Sequence, residues 1–279
     1  SNNTYSGTTT INAGTLVLQH DAPNPTSKTF AGTGALRVES AGTSFTSAFS
    51  TTGWDFGSAL TGLTLGKSGN TAAVTVGSNT TVNGSISIFG GGVTLSNTLT
   101  TTNASTGDVS ITTTGLAGAG NISLADNRSL TVNQSGASTY AGAVSGTGAS
   151  LTKQGAGALT LTGNSTYGGG TTISGGSIEL NTTGRITGDV LNNAQLLFNQ
   201  NADLSFNGLI SGTGSVTKNA SNTLTLNGRD VNDMAGFNSV HLGGTTVTNP
   251  DGKVWTNVSG TALAATTRYH QLVVEGNSS

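Results

Sequence analysis

Along most of the chain two apolar residues flank a small or polar one, and Gly or Asn brackets the group. Leu36-Arg37-Val38, Leu63-Thr64-Leu65, Val74-Thr75-Val76, Ile86-Ser87-Ile88, Val93-Thr94-Leu95 and Val109-Ser110-Ile111 follow this rule. So do Ile122-Ser123-Leu124, Leu130-Thr131-Val132, Leu159-Thr160-Leu161, Ile178-Glu179-Leu180, Leu204-Ser205-Phe206, Leu224-Thr225-Leu226 and Val240-His241-Leu242, and Leu16-Val17-Leu18 keeps the frame. Period-two alternation puts both outer side chains on one face of a strand and the middle one on the other. The pattern predicts many very short, half-buried strands and no helix, since no segment carries a capped apolar stripe at helical spacing. The triplets recur at intervals of about 7 to 30 residues, clustering near 10 and 20, which suits several strands per coil of a solenoid with loops of variable length. An immunoglobulin-like sandwich would have longer, more evenly spaced strands. The expected fold is therefore all-β, a right-handed parallel β-helix. At roughly 20 residues per coil and about 4.8 Å per coil it makes a rod on the order of 65 Å long.

Longer internal similarity supports a coil repeat. Val144-Ser145-Gly146-Thr147-Gly148 leads into Leu151-Thr152-Lys153 and Leu159-Thr160-Leu161-Thr162-Gly163, and Ile210-Ser211-Gly212-Thr213-Gly214 leads into Val216-Thr217-Lys218 and Leu224-Thr225-Leu226-Asn227-Gly228. Asn164-Ser165-Thr166-Tyr167-Gly168-Gly169-Gly170-Thr171-Thr172-Ile173 is echoed by Asn3-Thr4-Tyr5-Ser6-Gly7-Thr8-Thr9-Thr10-Ile11. Read in order, residues 144–180 resemble the autotransporter-associated β-strand repeat of bacterial autotransporter passengers and related large exported adhesins. The resemblance implies a passenger β-helix displayed outside a Gram-negative cell, with the export signals and membrane barrel of such a protein outside this sequence. The solenoid is expected over residues 1–228, with 229–279 continuing it around a protruding loop at Asn249-Pro250-Asp251-Gly252.

Composition narrows the function. Gly supplies 43 of 279 residues and Thr roughly 50 more, charged residues are 8% and the formal net charge is -2. No basic field exists to gather nucleic acid or an anionic membrane surface. With 3 Pro and 33% hydrophobic residues the chain does not read as disordered, and with no Cys it has neither disulfides nor thiolate metal sites. Gly66-Lys67-Ser68 has the end of a phosphate-binding loop but lacks its preceding Gly, Thr61 standing there, so it reads as a β-turn. His20, His241 and His270 are far apart, and neither cofactor nor metal is expected.

The chemistry that remains is sparse. Asp230 and Asp233 beside Arg229, with Asp251 further on, form the closest carboxylate set; they suit an insertion loop, or the acid and base of a polysaccharide-cleaving β-helix. Trp54, with Phe45, Phe49 and Phe56, is either an exposed platform for a carbohydrate or receptor or buried filling at a bend. Together with Trp255 in the differently textured last 50 residues, these give Trp54, Asp230, Asp233, Asp251 and Trp255 as partner-binding candidates. At the ends, Leu272-Val273-Val274-Glu275-Gly276-Asn277 supplies the strand and turn that the N-terminal repeat copy lacks. Either the parent polypeptide repeats this segment or separate subunits stack end to end, which makes Thr4, Tyr5, Ile11, Leu272 and Val274 interface candidates. The sequence thus points to a non-enzymatic, extracellular structural and adhesive rod on a bacterial surface. Its partners would be neighbouring units of itself, or glycans and proteins of host or neighbouring cells. A self-assembling fibre subunit and a polysaccharide-degrading enzyme are the alternatives.

Overall fold

A computed structural model describes residues 7–21 and 27–227, and beyond them the backbone of strands Ser239–Leu242, Thr246–Thr248, Val254–Thr256 and Leu272–Val274. The described residues contain strands, turns and bends and no helix, and the strands stack in parallel as a solenoid. One coil shows the plan. Ser85–Gly90 lies on a first face, Val93–Leu95 on a second and Leu99–Thr101 on a third, after which Val109–Thr113 returns to the first and pairs beside the starting strand, Ile86 opposite Val109. The first and second faces are ten-stranded sheets, and the third is assembled from shorter sheets in line.

Alternation accounts for the strands. In Ser85–Gly90 the side chains of Ile86 and Ile88 are fully buried while Ser87 between them is only half-buried. The same holds in Leu63-Thr64-Leu65, Val74-Thr75-Val76 and Leu130-Thr131-Val132. Because successive coils pair in register, inward residues form ladders such as Leu63, Ile86, Val109, Leu130 and Leu151. Full burial of each aliphatic side chain is worth about 1.5–3 kcal/mol, which is how a chain with few bulky residues holds a continuous core. Outward positions form matching hydroxyl rows.

Coil length is less regular than the expected 20. Leu36 pairs with Leu63, 27 residues on, whereas Thr171 pairs with Val190, 19 on. The extra length in the former coil is the segment Ser40–Ala48. Across the ten strands of the first face, from Thr15–Gln19 to Ile210–Ser211, the stack measures about 43 Å at 4.8 Å per step.

Beyond Asn227 the pairing changes. Ser239–Leu242 adds in parallel to Ser215–Lys218, but Leu272–Val274 pairs antiparallel with Leu224–Leu226, and Thr246–Thr248 pairs antiparallel with Val254–Thr256. The anticipated loop at 249–252 lies outside the described residues.

Candidate functional site

Carboxylates come first, because an enzymatic β-helix would gather them. Among the described residues no group of three or more His, Asp or Glu is placed to hold a metal. Four Asp side chains instead take the backbone N–H of the coil that follows: Asp21 Oδ2 accepts from Ala41 (2.9 Å), Asp108 Oδ1 from Ser129 (2.8 Å), Asp189 Oδ1 from Leu209 (2.9 Å) and Asp203 Oδ1 from Thr223 (2.7 Å). Asn79 and Asn121 make the same bond to Thr98 and Ala143. Hydrogen bonds from Ser40 and then from the Ala41 amide, outweighing a small desolvation cost, hold the Asp21 carboxyl below its ordinary range. These are clamps between coils, each replacing a ladder bond at a turn.

The aromatic cluster is core. Trp54 is 2% exposed and meets Phe49 edge-on at 5.4 Å, Phe30 at 5.5 Å and Phe56 at 6.0 Å, while Phe45 stacks on Phe49 at 4.8 Å. An exposed platform at Trp54 is therefore ruled out, and the bulky rings fill the wide coil that carries the Ser40–Ala48 insertion. His20 packs its ring on Phe49 and Trp54. Gly66-Lys67-Ser68 leads into a turn closed by the Asn70 amide on Lys67 O (3.0 Å), and Lys67 Nζ donates to Ser40 O at 2.9 Å, so no phosphate cradle forms.

Of the remaining candidates, Asp230, Asp233 and Asp251 lie outside the described residues, as do Thr4 and Tyr5. Trp255 falls in the strand Val254–Thr256, described as backbone only. Ile11 is buried, its amide donating to Ala31 O (2.8 Å) and its carbonyl accepting from Gly34 (2.6 Å). Leu272 and Val274 lie in the strand that turns back onto Leu224–Leu226.

The outward surface that the fold builds is rich in hydroxyls and sparse in charge, with Arg37 in the first-face row and Glu179 on the second face. Thr64, Ser87, Ser110, Thr131, Thr152 and Thr172 stand one above another on the first face. The row passes into Leu191 at one end and through Arg37 to Val17 at the other; Val17 and Leu191 are the two exposed large hydrophobic residues of the described chain.

Comparison with known families agrees with this architecture. Residues 1–18 and 151–180 match the family described as Passenger-associated-transport-repeat. The chain carries this repeat. It occurs in autotransporter passenger domains. No significant match was found among curated proteins or among solved structures.

The two repeat copies occupy different faces. In the second, Leu151-Thr152-Lys153 is on the first face, Leu159-Thr160-Leu161 on the second, Thr171-Thr172-Ile173 on the first again and Ile178-Glu179-Leu180 on the second. In the first copy the matching Thr9–Thr10 is on the third face and Thr15–Gln19 on the first. Val216-Thr217-Lys218 is likewise displaced, onto the second face. The repeat is thus a module of strands and corners that enters the coil at different points, and its copies do not align into one stripe along the rod.

Sequence reasoning missed a set of inward polar residues: Asn70, Thr113, Gln134, Lys153 and Asn192 are each 8% exposed or less. Asn70 sits in the corner itself; for the other four the signal is a polar residue at an inward position at or next to the end of a strand. It was hidden because the apolar-polar-apolar rule treats such a residue as the end of a strand.

Proposed function

We propose that this chain is a non-catalytic stretch of an exported passenger domain, a stiff extracellular rod that presents its outward rows and loops to other surfaces. The observation that carries the reading is the presence of two passenger-associated-transport-repeats within one continuous parallel solenoid. The engagement of Asp21, Asp108, Asp189 and Asp203 as clamps supports a structural use of carboxylates. A row of hydroxyls whose one charged member is Arg37 suits uncharged partners such as glycans or neutral protein surfaces of host or neighbouring cells. Beads coated with the purified chain should adhere to cells or to a subset of an immobilised glycan panel; beads that bind nothing above an uncoated control contradict the adhesive role. Turnover of any glycan on that panel, lost in Asp230→Asn or Asp233→Asn, would replace the reading by the enzymatic one.

End-to-end joining is the second reading. Among the described residues, Thr9–Thr10 and Thr15–Gln19 are the terminal strands of their sheets, and an unpaired strand edge is a template for another chain. Head-to-tail stacking on the third face at the other end requires Leu272–Val274 to leave Leu224–Leu226. Fibres that lengthen with concentration in electron micrographs support joining; single rods at all concentrations contradict it.

A further inference from the structure

The ladders that fill the core are poor at specifying register. Leu63, Ile86, Val109, Leu130 and Leu151 are close in size, as are Leu65, Ile88, Ile111 and Val132, and inward residues recur every second position. A strand that slipped by two residues against its neighbour would keep its apolar side chains inside. Gly-rich, Thr-rich strands make such slips cheap, so something else must choose among the registers.

Near the corner between the first and second faces stands a stepped column of buried polar side chains: Asn70 in the corner itself, Thr113 and Gln134 paired at the ends of their strands, and Lys153 and Asn192 two places earlier, where they continue the ladder of Val132 and Ile173. Asn70 Nδ2 donates to Ala72 O of its own coil (3.3 Å) and to Phe89 O of the next (2.7 Å). Thr113 Oγ1 reaches Gly115 O of its own coil (3.0 Å) and Gly91 O of the preceding one (3.5 Å). Gln134 Nε2 donates to Gly136 O (2.9 Å) and, one coil on, to Ala158 O (2.7 Å). Lys153 Nζ donates to Gln154 O (2.7 Å) and Gly155 O (3.0 Å) and across to Gly175 O (3.4 Å). Asn192 accepts from Ala194 N in its own coil (3.2 Å) and donates to Ser215 O in the next (2.8 Å). All five side chains are buried, and each makes at least one bond in its own coil and one to a neighbour.

We infer that this buried polar column sets the register in which successive coils stack, and that Lys153 is its charged member. A slip of two residues moves a neighbouring corner by about 6.6 Å, beyond hydrogen-bond reach, and leaves a buried donor without its partner. The apolar ladder tolerates such a displacement; the column does not, and an ammonium least of all. Buried polar groups can thus select one arrangement among several of similar packing energy, as a single polar core residue does in a coiled coil. The column stays near one corner while the repeat copies shift between faces, so register does not depend on where a copy begins.

The absence of cysteine makes the test direct. In the full chain, Thr152→Cys with Thr172→Cys reports the native register, since those residues are paired neighbours. Thr152→Cys with Ser174→Cys reports a slip of two. With the column intact, oxidation should close only the first pair. In a background of Lys153→Met, which removes the bond to Gly175 O across these two coils, the second pair should also close, its share rising by about tenfold, while Lys153→Gln, which keeps a donor, should restore most of the native register. The inference is overturned if the intact chain closes both pairs equally, or if the Lys153→Met background still closes only the native pair. It is overturned too if that background loses its strand circular dichroism altogether, because the column would then supply stability rather than register.

Discussion

Leu161 and Thr160 are adjacent, yet they answer to different solvents. Leu161 is 3% exposed and points into the core, while Thr160 points outward, its hydroxyl donating to Glu179 Oε2 at 3.3 Å. Leu161→Asp leaves an unpaired charge in an apolar interior and should destabilise the chain by about 3–5 kcal/mol. Thr160→Asp sets a like charge opposite Glu179, its paired neighbour on the adjoining coil, and should cost about 0.2–1 kcal/mol. Urea midpoints of the two variants check both values, and the reverse order would mean that the facing is inverted. Lys153 gives a pH signature. Desolvation lowers its amine from 10.5 to about 8, so above pH 8 the folded chain releases a proton that the unfolded chain still holds. Stability should accordingly rise as pH climbs from 8 towards 10, and Lys153→Met should lose that increment in urea titrations. Lys218, lowered mainly by desolvation and held back by Asp203, adds a smaller rise in the same direction. The buried phenols of Tyr140 and Tyr167 are raised by desolvation and act oppositely above pH 10, which sets the upper limit of the useful window.

At the scale of the strand and its corner, the limiting quantity is the distance between successive coils. Where a corner passes over the backbone of the coil before it, even one methyl group is too much. A Cβ on Gly84 would lie 1.8 Å from Thr61 O, whereas one on Gly92 would meet nothing within 4 Å. Gly84→Ala should therefore cost about 1–3 kcal/mol by forcing the backbone apart, while Gly92→Ala should be neutral or stabilise by about 0.4–1 kcal/mol through the unfolded chain. Thermal unfolding of the pair distinguishes steric need from mere abundance of glycine. The same scale explains what could be read in advance. Each triplet named from the sequence falls in a strand, apart from Leu124, one residue past the end of Ile122–Ser123 and still buried. Strands such as Lys28–Ala31, Thr80–Val82 and Val190–Asn192 were not legible, because inward positions there hold Lys28, Thr80 and Asn192. Inward polarity is affordable only when a corner carbonyl or hydroxyl lies within reach, and that is a fact about the neighbouring coil. For Trp54 the sequence left two roles open, platform or buried filling, and the structure gives the filling; what decides it is Phe30 and Phe49 from other strands, which spacing along the chain does not reveal.

For the whole molecule, the sparse charge and the excess of Gly and Thr acquire one explanation. Gly occupies the tight corners, Thr and Ser line the outside of the sheets, and the few Asp residues tie one coil to the next. The result is an elongated surface with one chemical character over most of its length, which suits a spacer that carries recognition in its loops. The passenger-associated-transport-repeats add the expectation of export. Rod and export can be tested together with a membrane-impermeant maleimide applied to intact producing cells, since the native chain has no cysteine to react. Thr112 is exposed and Ile111 is fully buried in the same strand. The account predicts that Thr112→Cys is labelled on intact cells, and that Ile111→Cys is labelled only after denaturation. Labelling of Thr112→Cys only after lysis, or equal labelling of both variants on intact cells, would contradict it.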